Sequence, residues 1–142
     1  MKSWLFYALL SALSAAFVSI FGKIGLKGLD TNAATAVRAI IMAIFLITIV
    51  IMQGKLSNVA DILNDRKSLL FIIFSGIAGA LSWLFYFLAL KEGQVSQVAP
   101  IDKMSVVFAV ILAVIIFGES VSLIHAIAIA LIAVGGLILA IY

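Results

Sequence analysis

The chain has 142 residues, of which 66% are hydrophobic and 11% charged, and its net charge is +3; mean hydropathy is +1.37. A soluble domain is closer to half apolar and a quarter charged, so the surplus apolar surface is expected to face lipid. The small, scattered positive charge does not suggest a nucleic-acid partner, the lack of cysteine excludes disulfides and thiolate metal sites, and one histidine with six carboxylates leaves little for a metal centre, so no nucleic acid and no cofactor are expected.

The first apolar run covers residues 3–24. Lys2 and the small residues at 11–16 resemble the flanks of a secretory leader. The run continues to Lys23, however, and at about 20 residues it exceeds a leader's apolar core. It is therefore expected to stay as a membrane helix. Residues 25–30 form a short turn, with Thr31 or Asn32 as the expected N-cap of a second span over 32–52. Residues 55–67 are the sizeable polar segment, and within them Leu56, Val59, Ile62 and Leu63 recur at helical spacing. That pattern suits a short helix lying at the membrane interface. A third span covers 68–90, a tight turn follows at 91–94, and a fourth span over 95–117 contains Pro100. The fifth span covers 122–142. The expectation is an all-α integral membrane protein, one five-helix domain over 1–142, with no convincing internal repeat.

Five is an odd count, so the two ends of the set lie on opposite sides of the membrane. Two copies can then form inverted halves, the architecture of many secondary transporters. Lysine and arginine in short loops set orientation. One side carries Lys2, Lys55, Arg66 and Lys67; the other carries Lys23, Lys27 and Lys91, with Arg38 and Lys103 near helix ends. The bias is close to nil. It is compatible with a single orientation or with insertion both ways and antiparallel pairing.

Ionisable groups in lipid are costly, by about 2.5–3.5 kcal/mol at a helix centre. Lys23, Arg38 and Lys103 all lie within a turn or two of a span's end, and Lys23 and Arg38 are expected to snorkel to the interface. The stretch Pro100-Ile101-Asp102-Lys103-Met104-Ser105 is the most informative one. Proline frees a carbonyl one turn back, which in a membrane must be satisfied by protein or water. Asp102 can cap the following turn or pair with a neighbour; Asp102 or Lys103 can instead hold a substrate group or a proton. Ser3, Tyr7, Ser11 and Ser14 share a face of the first span, as do Ser75, Gly79, Ser82 and Tyr86 on the third, with Trp83 beside them. Such stripes serve close helix packing or line a polar-aromatic cavity. Gly135-Gly136 on the fifth span, with Ala128 and Ala140, reads as packing, and His125 reads as interfacial. No phosphate-binding glycine loop, paired-carboxylate site or nucleophile elbow is present, so an enzyme is not expected.

Three stretches together carry a resemblance. They are Trp83-Leu84-Phe85-Tyr86-Phe87-Leu88-Ala89-Leu90-Lys91-Glu92-Gly93, Val98-Ala99-Pro100-Ile101-Asp102-Lys103-Met104-Ser105, and Phe117-Gly118-Glu119-Ser120-Val121-Ser122. Their ordered combination is similar to the signature of an EamA-type domain of the drug/metabolite transporter superfamily, over essentially the whole chain. Larger members carry two such domains with inverted topology in ten helices. The resemblance thus implies half of that fold, a homodimer, antiparallel if it copies the fused proteins, and a cavity lined by the first, third and fourth spans. It makes Tyr7, Ser11, Ser14, Trp83, Tyr86, Asp102 and Lys103 candidate cavity residues. Ser82, on the stripe of the third span, and Ser105, in the second stretch, complete the set, and Pro100 and Glu119 become structural residues. One departure is the lack of any carboxylate in the first span. The related small multidrug resistance proteins carry an embedded glutamate there, so their proton-coupled export of lipophilic cations is not carried over.

The expected function is a secondary transporter or exporter of small metabolites or drugs across a prokaryotic inner membrane. It would act as an antiparallel homodimer with alternating access. The alternative is a non-transporting membrane subunit of a larger complex.

Overall fold

The computed structural model describes residues 3–141; Lys2, counted above in the charge balance, and Tyr142, the expected end of the fifth span, lie outside them. Every described element is helical: α1 (Ser3–Gly25), α2 (Thr31–Met52), α3 (Leu56–Asn64), α4 (Arg66–Glu92), α5 (Val95–Asp102), α6 (Met104–Phe117) and α7 (Leu123–Ile141). Five lengths of helix are long and apolar enough to cross a membrane, with α5 and α6 together making the fourth. A helix satisfies its own backbone, which is why apolar runs of this length take that form in lipid.

The ends of the helices follow local chemistry. The N-cap of α2 is Asp30 rather than Thr31 or Asn32: its extended backbone lets the carboxylate accept from the Ala33 amide at 2.8 Å. Thr31 then becomes the first helical residue and is buried. Asp65 both ends α3 and opens α4. Its own amide donates to the Asp61 carbonyl, while its carboxylate accepts from the Lys67 and Ser68 amides and from Ser68 Oγ. That cap starts α4 two residues earlier than the sequence suggests. The fourth span is not one continuous α-helix. It breaks at Lys103, where the Lys103 amide donates to the Pro100 carbonyl and the Val106 amide to the Lys103 carbonyl. These are tighter, three-residue bonds, and they follow Pro100, which lacks the donor that would reach back to the Ser96 carbonyl. Gly118 closes α6 at φ +65°, with its own amide on Val114 and the Glu119 amide on Ala113. This left-handed closure favours glycine. Ser122 precedes α7, and its Oγ lies 2.6 Å from His125 Nδ1.

The chain divides into two compact units, residues 1–21 with 92–142 and residues 22–91. In the first, α7 meets α5 and α6 at Gly136, where an added Cβ would sit 3.0 Å from Met104 Sδ and 3.6 Å from the Pro100 carbonyl. Gly135 has open space at the same distance, and Ala128 and Ala140 are exposed, so the close packing rests on Gly136. In the second unit, Leu26, Phe87 and Leu90 are buried together with Thr31 and Thr35. Most other large apolar side chains point outward, as a lipid solvent allows.

Candidate functional site

Within the first unit α1 faces the α5–α6 junction across a groove of about 480 Å³. Small side chains, Ala8, Ser11, Ala12, Ala15 and Ser19, form the α1 wall, and Ala99, Pro100 and Lys103 form the other. Small residues leave this space open because no side chain is long enough to fill it. The break in the fourth span positions Lys103 here, at the point where the helix tightens. Its ammonium pairs with Asp102 at 3.0 Å, with Lys103 exposed and Asp102 partly so. Asp102 therefore bonds its neighbour, and α6 has no side-chain cap. The groove thus holds one charged head group in an otherwise apolar and hydroxyl-bearing setting. A second groove, of about 420 Å³ between α6 and α7, is lined only by aliphatic side chains such as Val110, Val114 and Ile129. It has nothing to orient a polar molecule.

The second unit holds a different cluster. Arg38, on α2, places its guanidinium carbon 3.6 Å from the centre of the Trp83 ring on α4 and 5.2 Å from that of Phe87. Trp83, Tyr86 and Phe87 contact one another, with ring centres 5.5–6.0 Å apart. Arg38 is half-buried. It lies seven residues beyond Thr31, about 10 Å along the helix from its start at a rise of ~1.5 Å per residue. A guanidinium over an aromatic face at such depth gains about 2 kcal/mol or more. No hydrogen-bond acceptor for its N–H groups is found among the described residues. Lys23 also has a protein partner: its ammonium donates to the Leu90 carbonyl. Both residues thus have partners within the fold.

The sequence-derived candidates divide accordingly. Ser11 and Lys103 share the groove, with Pro100 between them. Trp83 and Tyr86 share the aromatic cluster. Tyr7 is exposed and touches Phe6 edge-on, Ser14 donates to the Leu10 carbonyl of its own helix, and Ser82 and Ser105 are exposed. Glu119 lies in the turn after α6. Reading the sequence missed Arg38 as a member of the aromatic cluster, and the alanines as the groove wall. The run Ala8, Ala12, Ala15, Ala16 was the available signal for the wall.

Five membrane-crossing lengths of helix define an integral, multi-pass membrane protein. The model of the EamA-like transporter family matches residues 2–141. A protein of Sinorhizobium sp., described as an uncharacterized transporter in the cobO 3′ region, is 38% identical over 141 residues, covering 99% of each chain. No solved structure matches. The chain belongs to the EamA-like transporter family and is a membrane transporter.

Proposed function

We propose that the chain is a secondary transporter of small metabolites or drugs in a prokaryotic inner membrane. It acts as an antiparallel homodimer whose two copies rock about a central site to give alternating access. The observation that carries the reading is Arg38. A guanidinium stacked on Trp83 and Phe87 within a span, with no acceptor for its N–H groups among the described residues, offers donors to a polar guest. Intramembrane charges of this kind mark substrate pathways. The aromatic rings beside it supply faces for the guest's apolar part. In the other unit, Lys103 and Ser11 supply the polar groups of a small-residue groove.

The test is uptake of radiolabelled aromatic and hydrophobic metabolites by proteoliposomes holding the purified dimer. Arg38→Lys keeps the charge but loses the planar stack and the donor fork. Flux should fall about tenfold or more, matching the loss of an interaction worth ~2 kcal/mol, while the dimer stays intact on size exclusion. Well-ordered dimers that move no member of the panel would overturn the reading.

A further inference from the structure

We propose that the guest held at Arg38 is an aromatic monocarboxylate, bound through its carboxylate. The inference deepens the reading of this cluster as the guest site and rests on it. The Arg38 guanidinium carbon lies 3.6 Å from the centre of the Trp83 ring. Only a stacked guanidinium fits that separation, since an N–H aimed at the ring would hold the carbon farther off. Stacking uses the face of the guanidinium and leaves its edge, where the N–H donors lie, to bond something else.

Among the described residues no carboxylate lies within ion-pair reach of Arg38, and no acceptor meets its N–H groups. The acids of the same unit are engaged or remote. Asp30, eight residues earlier, caps α2 through the Ala33 amide. Asp61 lies on α3 and Asp65 after it, beyond the far end of α2. An anionic guest would therefore supply the counter-charge that a cation within a span needs.

Charge matching selects the anion. One guanidinium balances one negative charge. A phosphate monoester carries about −1.5 to −2 at neutral pH and would leave an excess inside the span. A carboxylate carries a single charge, and its two oxygens match the planar donor fork. An ammonium on the guest would meet no acid in this cluster and would be repelled by Arg38, so amines and amino acids are disfavoured. The rings select the body. Phe87 is buried and out of reach, but Trp83 and Tyr86 are each partly exposed. Their planes are perpendicular, with centres 5.7 Å apart. A flat guest in that corner meets one ring by its face and the other by its edge, the two arrangements that aromatic rings favour.

The experiment measures binding of radiolabelled phenylacetate to the purified full chain in neutral detergent by scintillation proximity, so the result does not depend on flux. Phenylacetate should bind. Unlabelled phenethylamine, phenylalanine and phenyl phosphate should each need about tenfold or more the concentration of unlabelled phenylacetate to displace it, since each loses or offsets a charged hydrogen bond. Arg38→Lys should raise Kd about tenfold and Arg38→Gln about a hundredfold, for the same reason. Arg66→Gln, at the opposite end of α4, should leave it unchanged. Equal displacement by the amine would show that the carboxylate is not recognised, by the amino acid that an ammonium is tolerated, and by the phosphate that charge is not matched. Unchanged binding in Arg38→Gln places the site elsewhere. Each of these results overturns the proposal, as does a lack of phenylacetate binding. If the Arg38 variants do not fold, the displacement pattern of the unmodified chain decides. Flux of neutral aromatic compounds without phenylacetate binding would reject the carboxylate site and keep the transport reading. Selective phenylacetate binding without any flux would support the site and reject transport.

Discussion

Gly22 has no room for a side chain. A Cβ added there would lie 2.7 Å from Cε1 of Phe87. Phe87 is buried and held between Trp83 and Tyr86, with Arg38 above it, so the ring cannot swing aside cheaply. Gly22→Ala should therefore cost about 1–3 kcal/mol through overpacking. The measurement is the thermal midpoint in detergent, read together with tryptophan fluorescence, since displacement of Phe87 must disturb Trp83. Gly25→Ala is the control. It sits in the same turn with open space around its Cβ position, and it should change neither reading. A similar loss in both variants would mean that the Phe87 contact does not set the cost, since helix propensity favours alanine at both positions.

At the scale of the element, α4 depends on Asp65 for its start. The Ser68 hydroxyl, 2.5 Å from Oδ2, does most to hold this carboxyl below its ordinary range. The Ser68 and Lys67 amides act in the same direction, outweighing a small opposing effect of desolvation. A carboxylate depressed in the folded state stabilises it above the unfolded pKa, and that stabilisation is lost as pH falls through the folded value. The start of α4 should therefore hold steady at neutral pH and loosen on acidification. Hydrogen exchange at Lys67 and Ser68 reads this directly. Asp65→Asn should weaken protection at neutral pH and remove its acid dependence; an acid dependence that persists in the variant would assign it to another group. Sequence reading found the spans to within about two residues because apolar length alone decides them. It misplaced the start of α4 and the α2 cap because Asp, Thr and Asn are near-equal caps and only backbone geometry selects among them. It took the fourth span as unbroken, although Pro100 was visible, since a proline signals a disturbed helix without fixing where it breaks. Ser11 entered as a candidate through its helical spacing, Lys103 through its place in the polar stretch after Pro100, and Pro100 as a structural residue; all three line one groove. The Arg38–Trp83 contact was not, because it joins residues 45 positions apart and depends on which helix faces meet.

At the scale of the whole molecule, the distribution of side chains is inverted relative to a soluble protein. Ser19, Thr31 and Thr35 are buried, whereas aliphatic and aromatic residues along every span face outward. Lipid makes that stable, because it removes the penalty on exposed apolar surface and retains the one on exposed backbone. It also leaves orientation to the loop charges. Lys55, Arg66 and Lys67 on one side face Lys23, Lys27 and Lys91 on the other, so the rule that places positive loops in the cytoplasm has almost nothing to act on. Insertion in both orientations is what the proposed antiparallel dimer needs, and loops with so little bias are compatible with it as well as with a single orientation. The chain has no cysteine, so a single one reports its side without background. Ser57 on α3 suits this purpose, being exposed and bonded only to the adjacent Asn58 side chain. Intact cells carrying Ser57→Cys are treated with an impermeant thiol reagent, then permeabilised and treated again. Dual insertion predicts that about half the protein reacts before permeabilisation, in keeping with two-fold inverted assemblies. Labelling from one side alone would leave a parallel pair, in which equivalent faces of the two copies share one membrane side and alternating access by inverted halves is lost.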